Sequence, residues 1–153
     1  TSAGRLFDAA AALAGVRSSA SFEGQGPMEL EAYCNGAGKI VEIILEKEDK
    51  LLKINWEPLV QLMSDSTLTL SERASMFHSS LAQVILQQAR LIRDEHGINT
   101  VTFSGGVFQN RVLTEQAMAL LETDDFHVCL PELIPVNDAG ISFGQIIEYG
   151  FKQ

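Results

Sequence analysis

A glycine pair, an amide and two isolated acids are the residues of this chain whose types and spacing can do chemistry. Ser104-Gly105-Gly106-Val107-Phe108-Gln109-Asn110 follows a short β-branched run, residues 98–103. It precedes Val112, Leu113, Met118, Leu120 and Leu121, which recur at helical spacing. The glycines therefore fall where a buried strand ends and a helix begins. A helix start presents unpaired N–H groups and the positive end of a dipole, and a residue without Cβ lets a phosphate or sugar approach them. Asn110 is expected within the first helical turn, where its amide can point at the same ligand. The plain alternative is a tight strand-to-helix turn with no ligand. Asn137-Asp138-Ala139-Gly140 lies just ahead of the last helix. Either Asn137 or Asp138 can be an ordinary N-cap. Asp138 is also a hard oxygen ligand, able to hold a divalent metal whose other ligands come from outside this chain. Asp8 interrupts a nearly uncharged helix among Phe7, Ala9 and Ala10. It is either a solvated flank position or a carboxylate facing a cleft, accepting hydrogen bonds from ribose hydroxyls.

The elements that must position these groups can be read in order. Leu6, Ala9, Ala10, Leu13 and Ala14 predict a first helix capped by Thr1 or Ser2 and ended by Gly15. Residues 18–27 form a loop in which Gly24 and Gly26 allow close backbone approach, and Pro27 opens a helix over 28–35 with Gly36 as its stop. Residues 39–45 and 51–56 read as an antiparallel hairpin joined by the charged turn 46–50, with Trp56 as a core anchor. Pro58 opens a short helix over 59–64. The longest helix starts at Ser71–Glu72, turns Phe77, Leu81, Val84, Ile85 and Ile92 to one face, and ends at Gly97. His96 suits its C-terminus, and His78 either hydrogen-bonds in the core or lines a site. A helix over 111–122, a strand over 126–130, the loop 131–138 and a helix from 139 to about 149 complete the chain. Strand, helix, strand, helix predicts an α/β fold with a mostly parallel sheet covered by helices. Ligands gather at the carboxyl ends of such strands, so the glycine turn and the 137–140 stretch are expected on one sheet edge.

Composition narrows the function. The 153 residues suit one domain or one lobe of a larger one, and 46% hydrophobic content suffices for a core. A formal net charge of −9 without any Lys/Arg cluster argues against a nucleic-acid partner. No run of 18 apolar residues predicts a membrane span. Cys34 and Cys129 lack CxxC spacing and read as free thiols of a reducing, cytoplasmic compartment. His78, His96 and His127 lack metal-ligand spacing among themselves. The chain opens without Met and straight into a helix cap, as expected of a piece cut from a longer protein.

Several stretches together resemble one family. They are residues 1–8, Phe22-Glu23-Gly24-Gln25 with Met28-Glu29-Leu30-Glu31, Phe77-His78, residues 104–110, and Asn137-Asp138-Ala139-Gly140-Ile141 with Gly144-Gln145. Nearly the whole chain resembles the C-terminal part of the HypF family of hydrogenase maturation carbamoyltransferases, at the end of their Kae1-like domain. The resemblance implies an actin/Hsp70/sugar-kinase-like (ASKHA) fold with a nucleotide between two lobes, this chain being mainly the second. It implies that a YrdC-like domain makes carbamoyl-adenylate from carbamoyl phosphate and ATP. The Kae1-like domain would then pass the carbamoyl group to the C-terminal cysteine of HypE, where it becomes the cyanide ligand of the nickel–iron centre.

By the same resemblance Asp8 binds ribose hydroxyls with Gly24 or Gln25 nearby, while Gly105, Gly106 and Asn110 hold the nucleotide. Asp138 becomes this lobe's ligand to a divalent metal (Fe, Zn or Mg). Related threonylcarbamoyl-transferases carry the acid one position earlier, in Asp-Asn order; of Asn137 and Asp138, only the latter is a carboxylate. The family's Asp-Gly-Gly reads Asp138-Ala139-Gly140 here. Its metal-binding histidine pair belongs to the first lobe and has no counterpart here. The acylphosphatase, zinc-finger and YrdC-like parts are likewise missing. The isolated chain is expected to be inactive and to contribute no nucleophile, Cys34 and Cys129 included. Two rival readings are a threonylcarbamoyl-adenosine synthase or small-molecule O-carbamoyltransferase of the same superfamily, and a non-catalytic nucleotide- or partner-binding lobe. Phe108-Gln109 and the Glu23-Gly24-Gln25 loop favour the hydrogenase branch.

Overall fold

The computed structural model describes residues 3–48 and 51–152. Helix α1 (Ala3–Leu13) buries Phe7, Ala10 and Ala11; its expected caps, Thr1 and Ser2, lie outside the described residues. Helix α2 (Gln25–Ala32) starts three residues earlier than the proline suggests. Gly24, at φ 80°, turns the chain into it as N-cap. Pro27 still occupies the first turn, where a missing N–H costs nothing.

The hairpin is antiparallel as expected, but displaced. Strand β1 (Leu45–Glu48) pairs with β2 (Leu51–Ile54) in the register Leu45↔Ile54 to Glu48↔Leu51. Residues 46–48 are thus strand and not turn; Asp49 and Lys50 lie outside the described residues. Residues 39–44 form no strand, although Ile44 O accepts from the Asn55 N–H (3.2 Å) just beyond the end of the hairpin ladder. The N–H groups of Asn35, Gly38 and Val41 donate instead to the hydroxyls of Ser75, Ser79 and Ser80, each at 2.9 Å.

Those serines lie on α4 (Leu70–His96), around which the molecule is assembled. Thr69 and Glu72 cap it reciprocally, the Glu72 N–H donating to Thr69 Oγ1 (3.2 Å) and the Thr69 N–H to Glu72 Oε2 (2.8 Å). Its middle is enclosed almost all round, from Ala74 through Ala82 apart from a partly exposed Met76. The last turns are exposed, so Ile92, expected on the buried face, points outward. α3 (Glu57–Ser64) packs on α1 and α4 through Leu59, Leu62 and Met63, with Trp56 partly buried against the core. Phe7 meets Phe77 edge-on at 5.1 Å between ring centroids.

Strands β3 (Thr100–Thr102) and β4 (His127–Cys129) pair in parallel, Thr100↔His127 to Thr102↔Cys129. The connection between them is α5 (Arg111–Thr123), which packs on α4 and β4. The α5–β4 corner is closed by Asp124, which accepts from Arg90 Nη2 (2.5 Å) and Arg93 Nη2 (2.7 Å). The Arg90 hydrogen bond, helped by Arg93, holds the Asp124 carboxyl down at about 2. Arg93 also stacks 4.1 Å above the Phe126 ring. β3 is shorter than its apolar run, because only its Val101 side faces the core and Ile98 is exposed. The chain ends in α6 (Ile141–Phe151), which buries none of its residues.

Candidate functional site

The glycine turn is held at both ends. Phe103 is buried at the end of β3, its N–H donating to Cys129 O (3.0 Å). Gly105 then adopts φ 105°, ψ 151°, a conformation that disfavours any L side chain. Its N–H donates to Val136 O at 2.6 Å, tying the turn to the loop that leads to Asp138. A 3-10 turn, Gly106–Gln109, intervenes before α5. Phe108 folds back onto Phe103 with the rings parallel and 4.4 Å apart, and Thr114 Oγ1 donates to Phe108 O (3.0 Å).

Gly106 itself is exposed, and a Cβ built there meets nothing nearer than 3.9 Å, at Asn137 Cβ and Gln109 Oε1. Gly106 and the Asn137–Asp138 stretch therefore converge on one edge of the β3–β4 sheet, as expected. The Asn137 side chain is already engaged, accepting from the Ala139 N–H (3.1 Å) as cap of the Asp138–Gly140 turn. The neighbouring Asp138 carboxylate is exposed. Gly140 is compressed: a Cβ there would stand 2.6 Å from Pro135 O.

Asn110 differs from its expected place. It is the N-cap of α5 rather than part of its first turn, and it is buried. Its Oδ1 accepts from Leu113 N–H (2.8 Å), and its Nδ2 lies 2.9 Å from His78 Nε2. Both ends of the amide are thus occupied within the chain. An Asn directly ahead of Arg111-Val112-Leu113 was the available sign of a cap.

Asp8, on the exposed face of α1, lines an open cavity of about 590 Å3 with Arg5, Arg17, Ser21, Phe22 and Gly24. Gln25 braces that cavity's loop, its Oε1 accepting from Ser21 N–H (2.8 Å) and its Nε2 donating to Glu29 Oε1 (3.1 Å). Arg17 Nε donates to Glu29 Oε2 (2.7 Å) and holds that carboxyl below its ordinary value. Gly26 presses against Ala11, where α1 and α2 pack. α1 also touches the Gly106–Gln109 turn, so the helix carrying Asp8 contacts both glycine-bearing elements.

The Cys34 sulfur is not poised for attack. Both cysteines are free. Burial, with the Glu31 carboxylate adding to it, pushes the Cys34 thiol up to about 12. Among the described residues no three His, Cys, Asp or Glu side chains gather as a metal cage. Asp138 can offer a single oxygen ligand and no complete site.

An α/β lobe of this build, with a glycine turn and an acid-bearing loop on one sheet edge, is one lobe of the actin/Hsp70/sugar-kinase type. Residues 1–145 match the model of the Kae1-like domain of carbamoyltransferases, second subdomain, and the chain belongs to that family. Carbamoyltransferase HypF of Synechocystis sp. is 32% identical over 150 residues, covering 96% of this chain and 19% of its own length. A probable carbamoyltransferase HypF of Methanocaldococcus jannaschii is 29% identical over 155 residues, covering 99% and 20%. The crystal structure of full-length HypF in its phosphate- and nucleotide-bound form has a TM-score of 0.88 at 40% identity, covering 95% of this chain and 20% of that one. T. kodakarensis HypF gives 0.81 at 25%, covering 98% and 20%. The chain thus spans about a fifth of the length of these relatives.

Proposed function

We propose that this chain forms one wall of the nucleotide cleft of a HypF-type carbamoyltransferase, working in the cytoplasm on hydrogenase maturation. The observation that carries the reading is Gly106. Gly105 is demanded by its backbone angles and Gly140 by close packing, but nothing in the fold requires a glycine at 106. Its open space faces the Asp138 loop, where a phosphate or adenylate can approach the backbone.

In this reading Gly105 and Gly106 receive the nucleotide's phosphate end, and Asp8 accepts from the ribose hydroxyls, with Gly24 and Gln25 shaping the loop beside it. Asn110 contributes from behind, as the cap that fixes the turn. Asp138 holds a divalent metal together with groups of the first lobe; Asn137 is spent on the Ala139 N–H. When bound, that metal supplies Lewis-acid polarisation. The donor is carbamoyl-adenylate, made from carbamoyl phosphate and ATP in a YrdC-like domain, and the acceptor is the C-terminal cysteine thiolate of HypE. A C–S bond forms, the C–O bond to AMP breaks, and AMP leaves with the electron pair. Because the anhydride is already activated, this chain's task is positioning and stabilising charge, and no side chain of it acts as nucleophile. The first lobe and the acylphosphatase, zinc-finger and YrdC-like domains complete the enzyme, so the isolated chain does not transfer carbamoyl groups.

The test uses the complete gene product with labelled carbamoyl phosphate, ATP and HypE, and in parallel with labelled threonine, bicarbonate, ATP and tRNA. Label on HypE, lost by at least about tenfold in Gly106→Val and in Asp138→Asn, supports the reading. Threonylcarbamoylation of tRNA instead, or unaltered transfer by Gly106→Val, removes it.

A further inference from the structure

Among the described residues His78 is the one ionisable side chain that is wholly buried. It sits in α4, not in the turn that the proposed nucleotide would touch. Its Nδ1 lies 2.8 Å from Ala74 O, and a carbonyl only accepts, so Nδ1 carries the proton. Cys34 Sγ, 3.2 Å away, shares that N–H. Nε2 is left as an acceptor, 2.9 Å from Asn110 Nδ2. The amide's orientation is fixed independently, because Asn110 Oδ1 accepts from Leu113 N–H. The Asn110 N–H in turn donates to Val107 O (3.1 Å), inside the glycine turn. Hydrogen bonds therefore run from the middle of α4, through one neutral imidazole and one amide, into the Gly106–Gln109 turn.

We propose that His78 is a positioning residue for that turn: its Nε2 lone pair holds Asn110, and protonation of Nε2 releases it. The inference rests on the reading of the turn as a nucleotide wall. A protonated Nε2 would face the Asn110 NH2 donor to donor. Rotating the amide to relieve the clash would aim its NH2 at Leu113 N–H and remove the cap of α5. Either way the far end of the turn loses its anchor. The titratable groups facing the ring are Glu31 and Cys34, from α2 and the turn after it; α1 presents Phe7, α4 itself Phe77, and α5 the Asn110 amide. Burial is the largest influence on the ring and keeps it neutral, against the smaller pulls of Ala74 O and Glu31.

The experiment measures binding of a non-hydrolysable ATP analogue by the complete gene product, counting the component that Gly106→Val abolishes. His78→Gln keeps an acceptor towards Asn110 and should bind within about threefold of the parent at pH 7.5. His78→Leu leaves the amide unpaired and should bind at least about tenfold more weakly. As the pH is lowered below the ordinary imidazole value of about 6.5, the parent should lose affinity while His78→Gln stays flat. A merely structural role would show no such difference. If His78→Leu does not fold, the pH comparison between the parent and His78→Gln decides alone. Equal affinity in a folded His78→Leu, or parallel pH profiles, overturns the positioning role while the Gly106 effect preserves the cleft. Absence of any Gly106-dependent binding removes the cleft and this inference with it.

Discussion

Position 106 accepts a side chain and position 140 does not, although the two glycines stand in similar motifs. A methyl at 140 would run into Pro135 O, which is backbone and cannot rotate away. Gly140→Ala should therefore cost about 1–3 kcal/mol, and Gly106→Ala no more than about 0.5 kcal/mol. Denaturant midpoints of the two variants check this, and equal shifts would mean that position 106 is also packed. The sequence could not separate these glycines, because spacing reveals a bend but not what lies beside it. The two asparagines carry a similar lesson. Asn137 was legible as a possible cap and Asn110 was expected inside the first turn of its helix, and both turn out to cap. That Asn110 also turns its amide inward to His78 depends on a contact 32 positions away, which no local pattern encodes.

At the scale of elements, the β3–α5–β4 unit was readable because its strands and helix each follow their own period. The 39–45 stretch was not. It has strand composition, yet its Val41 N–H, like those of Asn35 and Gly38 just before it, donates to a serine hydroxyl of α4. On α4, Ser75, Ser79 and Ser80 look like a solvent face, but all three are buried against this stretch. Ser80 Oγ also donates to Met76 O (2.7 Å) and Ser79 Oγ to Gln116 Oε1 (2.9 Å), so these two hydroxyls are used as both donor and acceptor. Alanine at Ser79 or Ser80 should leave the Gly38 or Val41 N–H without its partner. Each should destabilise by roughly 1–3 kcal/mol. Amide exchange at Gly38 and Val41 should accelerate, with the β1–β2 amides little affected. Unchanged exchange there would show that solvent already reaches these groups and that the serines do not hold the segment.

For the molecule as a whole, α6 stands apart. Its sequence is as apolar as a core helix, yet Ile146 is 69% and Phe151 88% exposed, and none of its residues is buried. The sequence marked a helix here, from 139 to about 149. It could not say what the helix packs against, because nothing among the described residues covers it. Eleven residues are too few for a stable helix in water by themselves. Burying even Ile146 and Ile147 would contribute about 1.5–3 kcal/mol each. α6 should therefore be firmly helical only when another surface takes up that face. Hydrogen exchange followed by mass spectrometry tests this. In the isolated chain α6 amides should exchange nearly unprotected while the middle of α4 stays protected, and in the complete gene product α6 should gain protection of at least about tenfold. Protection of α6 equal to that of α4 in the isolated chain would mean the helix is stable without a cover, or that copies of the chain cover one another. A dilution series separates those two, since protection by self-association falls with concentration and protection from within the chain does not.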